Sequence, residues 1–97
     1  MDKMIYLSNL YVVYKDLFTE KQRLYFEDYY HNNLSLSEIA ENEEVSRNAV
    51  HSQLKIMEEK LIELENILKI VSKKEKALKY LKGKIPEEAL RKVEDIL

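Results

Sequence analysis

The sequence predicts an all-α protein organised around a helix-turn-helix, with a long C-terminal extension of its second, recognition-type helix. Three observations predict it. One Gly and one Pro in 97 residues leave few sharp turns and argue against a sheet. Apolar residues recur at three- and four-residue steps along most of the chain. Residues 34–50 carry, in order, a helix cap, an inward Ile-Ala pair, a turn Val, a second cap and an inward Val.

Residues 2–18 are predicted as the first helix. Ile5, Leu7, Leu10, Tyr11, Tyr14, Leu17 and Phe18 supply its apolar face, leaving Lys3, Asn9 and Asp16 toward water. Thr19 followed three residues later by Gln22 forms a capping box, so a second helix starts at Glu20. It runs through Leu24, Tyr25, Phe26, Tyr29 and Tyr30 and stops at His31-Asn32-Asn33, where Asn tolerates a left-handed backbone. At helical spacing these aromatics are core and rim, not a platform for stacked bases.

Ser35 with Glu38 is a second capping box. Ile39 and Ala40 then point inward, and the small Ala40 lets another helix cross close by. Val45 fills the turn, Ser46 caps the next helix, and Val50 lies one turn in, where it meets Ile39. Residues 35–56 are therefore read as the helix-turn-helix unit.

No stop follows Ser46 for a long way. Leu54, Met57, Leu61, Leu64, Leu68 and Val71 alternate in steps of three and four, an a/d seam broken by Glu75 at the next a position and resumed by Leu78. A helix over 47–71 would be roughly 37 Å long. That exceeds what so small a corner covers, so the seam is expected to serve dimerisation at least in part. Ile56, Ile62, Ile67 and Ile70 widen the stripe toward contacts with both the chain itself and a second subunit. Residues 72–82 continue this helix or follow a bend near Ser72, and Gly83 ends them. Pro86, Glu87 and Glu88 mark the first turn of a last helix, with Ala89, Leu90, Val93, Ile96 and Leu97 as its apolar face. One all-α domain over 1–97 is expected, its 57–97 portion serving dimerisation.

Composition excludes several classes. No Cys means no disulfide framework and no thiolate metal site. The opening Met1-Asp2-Lys3-Met4-Ile5-Tyr6 lacks a basic region followed by an apolar core, and no apolar run is long enough to cross a bilayer, so a soluble cytoplasmic protein without membrane insertion is expected. There is no Gly-rich phosphate loop and no nucleophile with a base at a recognisable spacing, so neither enzymatic activity nor a cofactor is expected. Glu58, Glu59, Glu63 and Glu65 lack a nearby His and read as a solvated face instead of a metal site.

The formal net charge of −2 hides an asymmetry. Residues 35–68 hold eight acids against Arg47, Lys55 and Lys60, whereas residues 69–84 hold seven lysines against Glu75 alone. The positive charge sits outside the helix-turn-helix.

Phe18-Thr19-Glu20-Lys21-Gln22, Tyr29-Tyr30, Leu36-Ser37-Glu38-Ile39-Ala40-Glu41 and Val45-Ser46-Arg47-Asn48-Ala49-Val50 together resemble region 4 of sigma factors. More closely, their order over residues 1–70 resembles the YlxM-like family of helix-turn-helix proteins. That resemblance implies a cytoplasmic, bacterial, dimeric all-α protein. Its members are typically encoded beside the signal recognition particle protein and its receptor, which implies a part in that targeting pathway. The chain departs from such sequences at Glu43 and Glu44, where a large apolar residue and then Gly, Asn or Asp are usual. It departs again at Ile56 and Met57, where polar or basic residues are common.

Two functions follow as expectations. As a regulatory adaptor, the chain would use the helix-turn-helix as a scaffold and form a homodimer. Lys69, Lys73, Lys74, Lys76 and Lys79 would then contact the particle's protein or its RNA. As a DNA-binding regulator, it would read duplex DNA with Arg47, Asn48, His51, Ser52 and Lys55 at the start of the second helix. The acids flanking that helix weigh against the second, because phosphate neutralisation supplies much of duplex affinity.

Overall fold

Side-chain caps set where the first four α-helices begin. In a computed structural model, which describes residues 2–97, Asp2 accepts the Met4 N–H at 2.7 Å and opens α1 (Lys3–Tyr14). A single 3-10 turn (Lys15–Leu17) carries α1 to Thr19. There the Gln22 N–H donates to Thr19 Oγ1 at 3.1 Å and the Thr19 N–H to Gln22 Oε1 at 3.0 Å, the expected reciprocal box at the head of α2 (Glu20–Tyr30). Ser35 and Glu38 repeat it for α3 (Leu36–Glu43), at 3.0 and 3.1 Å. Ser46 Oγ accepts the Ala49 N–H at 3.0 Å and opens α4 (Arg47–Leu68). Then come α5 (Ile70–Leu81) and α6 (Glu87–Ile96). No strand occurs among the described residues.

The fold is all-α, with the helix-turn-helix formed by α3 and α4. The turn closes through Glu44, which adopts φ 55°, while the Val45 N–H reaches back to the Ala40 carbonyl at 3.0 Å. That six-to-one bond with a left-handed residue inside it is a Schellman ending, and its usual apolar contact is supplied by Val45, packed against the core. Ile39 and Val50 are both fully buried.

Helix α4 is the axis: α1, α2 and α3 all pack on it. Leu7, Leu10, Tyr11 and Tyr14 of α1 share one buried cluster with Tyr25 and Phe26 of α2, Ile39 of α3, and Val50, Leu54, Met57 and Leu61 of α4. Phe26 lies stacked between Tyr11 and Tyr30, with ring centroids 4.2 and 4.3 Å away. The α2 aromatics are thus core and rim. Ile5 and Leu17, expected on the inner face, are exposed; Leu17 lies in the tighter turn that replaces α1 after Tyr14, so the helical period no longer sets its direction.

Three expectations for the C-terminal half are corrected. Helix α4 does not run to Val71; it ends at Lys69, which takes φ 55° and donates its N–H to the Glu65 carbonyl at 2.8 Å. At the usual rise α4 is about 33 Å long and α1 about 18 Å, so a straight continuation would overshoot its cover. The break turns the chain, and Val71 joins the core beside α1. For the same reason Leu54, Met57, Leu61 and Val71 do not form a dimer seam: they are buried within the chain. Leu64 is half-buried, and only Leu68, 43% exposed, remains open from that set. The acids of α4 are not uniformly solvated either. Glu65 is 6% exposed and Glu58 is half-buried.

Helices α5 and α6 pack on one another, and α5 also touches α1. Ala89, Leu90 and Val93 are half-buried, yet α6 buries no residue fully. This outlying pair lengthens the molecule to 52 × 25 × 24 Å.

Candidate nucleic-acid and partner interfaces

The start of α4 presents Arg47, Asn48, His51, Ser52 and Lys55, all exposed. The buried Val50, Leu54 and Met57 occupy the opposite side, so at 100° per residue Asn48, Ser52, Lys55 and Glu59 form one outward strip. Arg47 and His51 flank it. His51 and Lys55 also border a cavity of about 290 Å³ with Tyr29, Leu36, Leu54 and Glu58. Geometrically this is the exposed start of the second helix of the helix-turn-helix, the candidate reading head.

Its electrostatics differ from its shape. Glu38, Glu41 and Glu44 are exposed and Glu43 is half-exposed, all on the preceding helix and turn, while Glu59 follows Lys55 on the outward strip. Glu38 is held below the usual carboxylate range by the backbone N–H and hydroxyl of Ser35, so it stays ionised. Among the described residues the ion pairs are Lys3–Glu58 at 3.7 Å and Lys60–Glu63 at 3.9 Å. Lys3 thus engages an acid of the His51–Lys55 cavity, while Glu38, Glu41, Glu43, Glu44 and Glu59 have no ion-pair partner among the described residues.

The second candidate lies on α5. Lys73, Lys76 and Lys79 point outward and are exposed, as is Lys69 at the break. Lys74 does not join them. It is half-buried in the groove between α1 and α5, lined also by Asn9, Val12 and Glu94. Tyr80, absent from the expected contacts, lies here beside Lys84, one of the seven lysines of residues 69–84. Tyr80 is 68% exposed, and Lys84 Nζ stands over its ring, 3.5 Å from the centroid. Gly83, at φ 80°, makes the turn that returns Lys84, whose N–H bonds the Leu81 carbonyl at 2.9 Å. The four-residue steps from Lys76 to Tyr80 to Lys84 were the available signal.

A third cluster holds these two regions together. Glu65 accepts the Tyr14 hydroxyl at 2.7 Å, the Val71 N–H at 3.1 Å and the Ser72 N–H at 2.9 Å. One carboxylate thereby caps α5 and ties it to α1 and α4. Burial pushes Glu65 upward, but the Tyr14 hydroxyl and the Ser72 and Val71 N–H groups outweigh it and hold the carboxyl below its usual range. Tyr14, buried and donating to that carboxylate, is pushed up. Tyr11 and Tyr30 are pushed up in the same way, by burial and by donating to Glu27 and Glu58.

The family model described as "Putative helix-turn-helix protein, YlxM / p13 like" (UPF0122) matches residues 1–96. A UPF0122 protein of Fusobacterium nucleatum is 38% identical over 96 residues, covering 96% of this chain and 93% of the relative. One from Halalkalibacterium halodurans is 40% identical over 92 residues, covering 92% and 84%. Another, from Malacoplasma penetrans, is 46% identical over 65 residues, covering 67% and 61%. No solved structure matches the chain at a significant level.

Proposed function

The chain belongs to the UPF0122 family of YlxM / p13-like helix-turn-helix proteins, and from that premise we propose that it is a non-enzymatic regulatory adaptor of the signal recognition particle pathway. In this reading the helix-turn-helix is a scaffold that holds α5 in place, and the lysines of α5 meet the partner. One observation carries it: the fold's positive charge is displaced from the reading head to an outlying helix. Arg47 and Lys55 are the cations of the reading head, set against Glu38, Glu41, Glu43, Glu44 and Glu59. Phosphate contacts supply nearly all non-specific duplex affinity, and a strongly salt-dependent binder can make about 6–10 of them. Two cations among five acids fall well short. Beyond Lys69 the balance reverses, and none of the α5 lysines has a carboxylate within ion-pair distance among the described residues.

The test is co-purification. A tagged copy drawn from native lysate should retain the particle's protein or RNA, and Lys73→Ala, Lys76→Ala and Lys79→Ala together should release it. Retention of neither component by the unaltered chain would discard this reading.

A second reading is favoured by one observation, the shared exposure of Arg47, Asn48, His51, Ser52 and Lys55 on a single face. It makes the chain a reader of duplex DNA. Arg47→Ala and Lys55→Ala should then weaken retention on a pool of genomic fragments, with a steep dependence on salt. Indifference of duplex retention to both changes eliminates it.

A further inference from the structure

We propose that the outer face of α5 binds an unpaired nucleic-acid strand, with Tyr80 stacking a base and Lys73, Lys76 and Lys84 holding the adjoining phosphates. The proposal rests on the adaptor reading in that it names the chemistry α5 recognises.

The face is built from three features. Lys73, Lys76 and Tyr80 stand at i, i+3 and i+7 and so share one side, spanning roughly 10 Å along the helix. Val71, Lys74 and Leu78 face α1 on the other side, which leaves this one free of the fold. Second, the lysines are uncompensated. Opposite charges at i, i+4 can stabilise a helix, whereas among the described residues no carboxylate lies within 4 Å of any of these lysines. Third, an exposed tyrosine stands among these cations. With the Lys84 ammonium 3.5 Å from the ring centroid the residue still keeps 68% exposure, which leaves aromatic surface for a base to stack on. A cation against an aromatic that keeps exposed ring surface, flanked by backbone-neutralising lysines, is the composition of a single-strand platform.

The same features disfavour other anionic partners. A duplex keeps its bases stacked on one another and offers Tyr80 no free face. An acidic protein surface would use the lysines and leave the ring without a role. RNA and single-stranded DNA share the chemistry named here and are separated by experiment.

Fluorescence anisotropy of the full-length chain with labelled oligouridylate and with labelled oligothymidylate reads the site directly, and the tighter arm identifies the source. Tyr80→Ala should weaken binding roughly tenfold and Tyr80→Phe should restore it, since stacking needs the ring and not the hydroxyl. Each of Lys73→Ala and Lys76→Ala should lower the slope of log affinity against log salt by about 0.7. Tyr80 is mostly exposed, so unchanged circular dichroism is expected for its variants. Absence of binding in both arms overturns the proposal. So does an unaltered affinity for Tyr80→Ala, an RNA duplex that binds as tightly as the strand, or equal competition by polyglutamate. Oligonucleotide binding without co-purification of the particle would reject the adaptor reading and leave the strand site standing. Co-purification that survives Tyr80→Ala, with no oligonucleotide bound, would do the reverse.

Discussion

Glu65 is the residue on which the two halves of the molecule meet. It satisfies one hydroxyl and two N–H groups at once, in a position 6% exposed. Glu65→Gln keeps the shape but removes the charge that all three donors face, and should cost about 1–3 kcal/mol in urea unfolding. The pH dependence has a definite sign. A folded carboxyl held low contributes stability that is present above the ordinary glutamate range, near pH 4.3, and lost as pH falls through the depressed folded value. The three tyrosines act at the other end. Their folded values are raised, so their contribution is complete below about pH 10 and declines above it as unfolded tyrosines ionise. Urea midpoints measured from pH 3 to 11 should fall at both ends, and Glu65→Gln should flatten the acid limb. At Glu44 the direction is opposite. A β-carbon in the left-handed region costs about 1 kcal/mol, so Glu44→Gly should raise stability by a similar amount, less the entropy Gly adds to the unfolded chain. A lower midpoint for Glu44→Gly would mean that the Glu44 side chain contributes something its strained backbone conceals.

At the scale of elements, α4 had more than one possible use for its apolar seam, and the choice made has a mutational signature. Leu61 is fully buried against α1, whereas Leu68 is partly open at the helix end. Leu61→Glu should therefore unfold the chain, since it places a charge in the core. Leu68→Glu should leave circular dichroism and unfolding midpoint nearly unchanged, within about 0.5 kcal/mol. Loss of fold in both would move Leu68 into the core. The period of the seam was legible in the sequence because three- and four-residue steps are a local property. What covered it was not, since α1 lies more than 30 residues away in the chain and its own apolar stripe is equally compatible with other partners. The capping boxes at Thr19 and Ser35 lie at the other extreme. Their donors and acceptors are three residues apart, and the helix starts follow from them without reference to any other element.

For the whole molecule, the radius of gyration of 16.4 Å is well above the roughly 13 Å of a compact chain of this length. The excess is α5 and α6, which share few contacts with the α1–α4 body and leave Ile96 and Leu97 largely exposed. Small thinly packed elements open locally at low free energy. Amide hydrogen exchange should therefore show α6 exchanging much faster than the middle of α4, around Leu54 to Leu61. Equal protection in the two helices would mean that α6 is covered in solution by something beyond this chain.

The amino-acid sequence determined by itself where every helix but α5 starts, the offsets of the helix-turn-helix, and the segregation of acids from lysines. Each depends on residues a few positions apart or on simple composition, and short-range hydrogen bonding and helical period are enough to settle them. Only the tertiary structure decided that the α4 seam is closed by α1, that the chain breaks at Lys69, that Glu65 turns inward, and that Lys84 folds over Tyr80. Those outcomes turn on which apolar face lies within reach of which other, and on a left-handed residue with no Gly to announce it. Helical period shows that a face is apolar; it carries no information about what will lie against it.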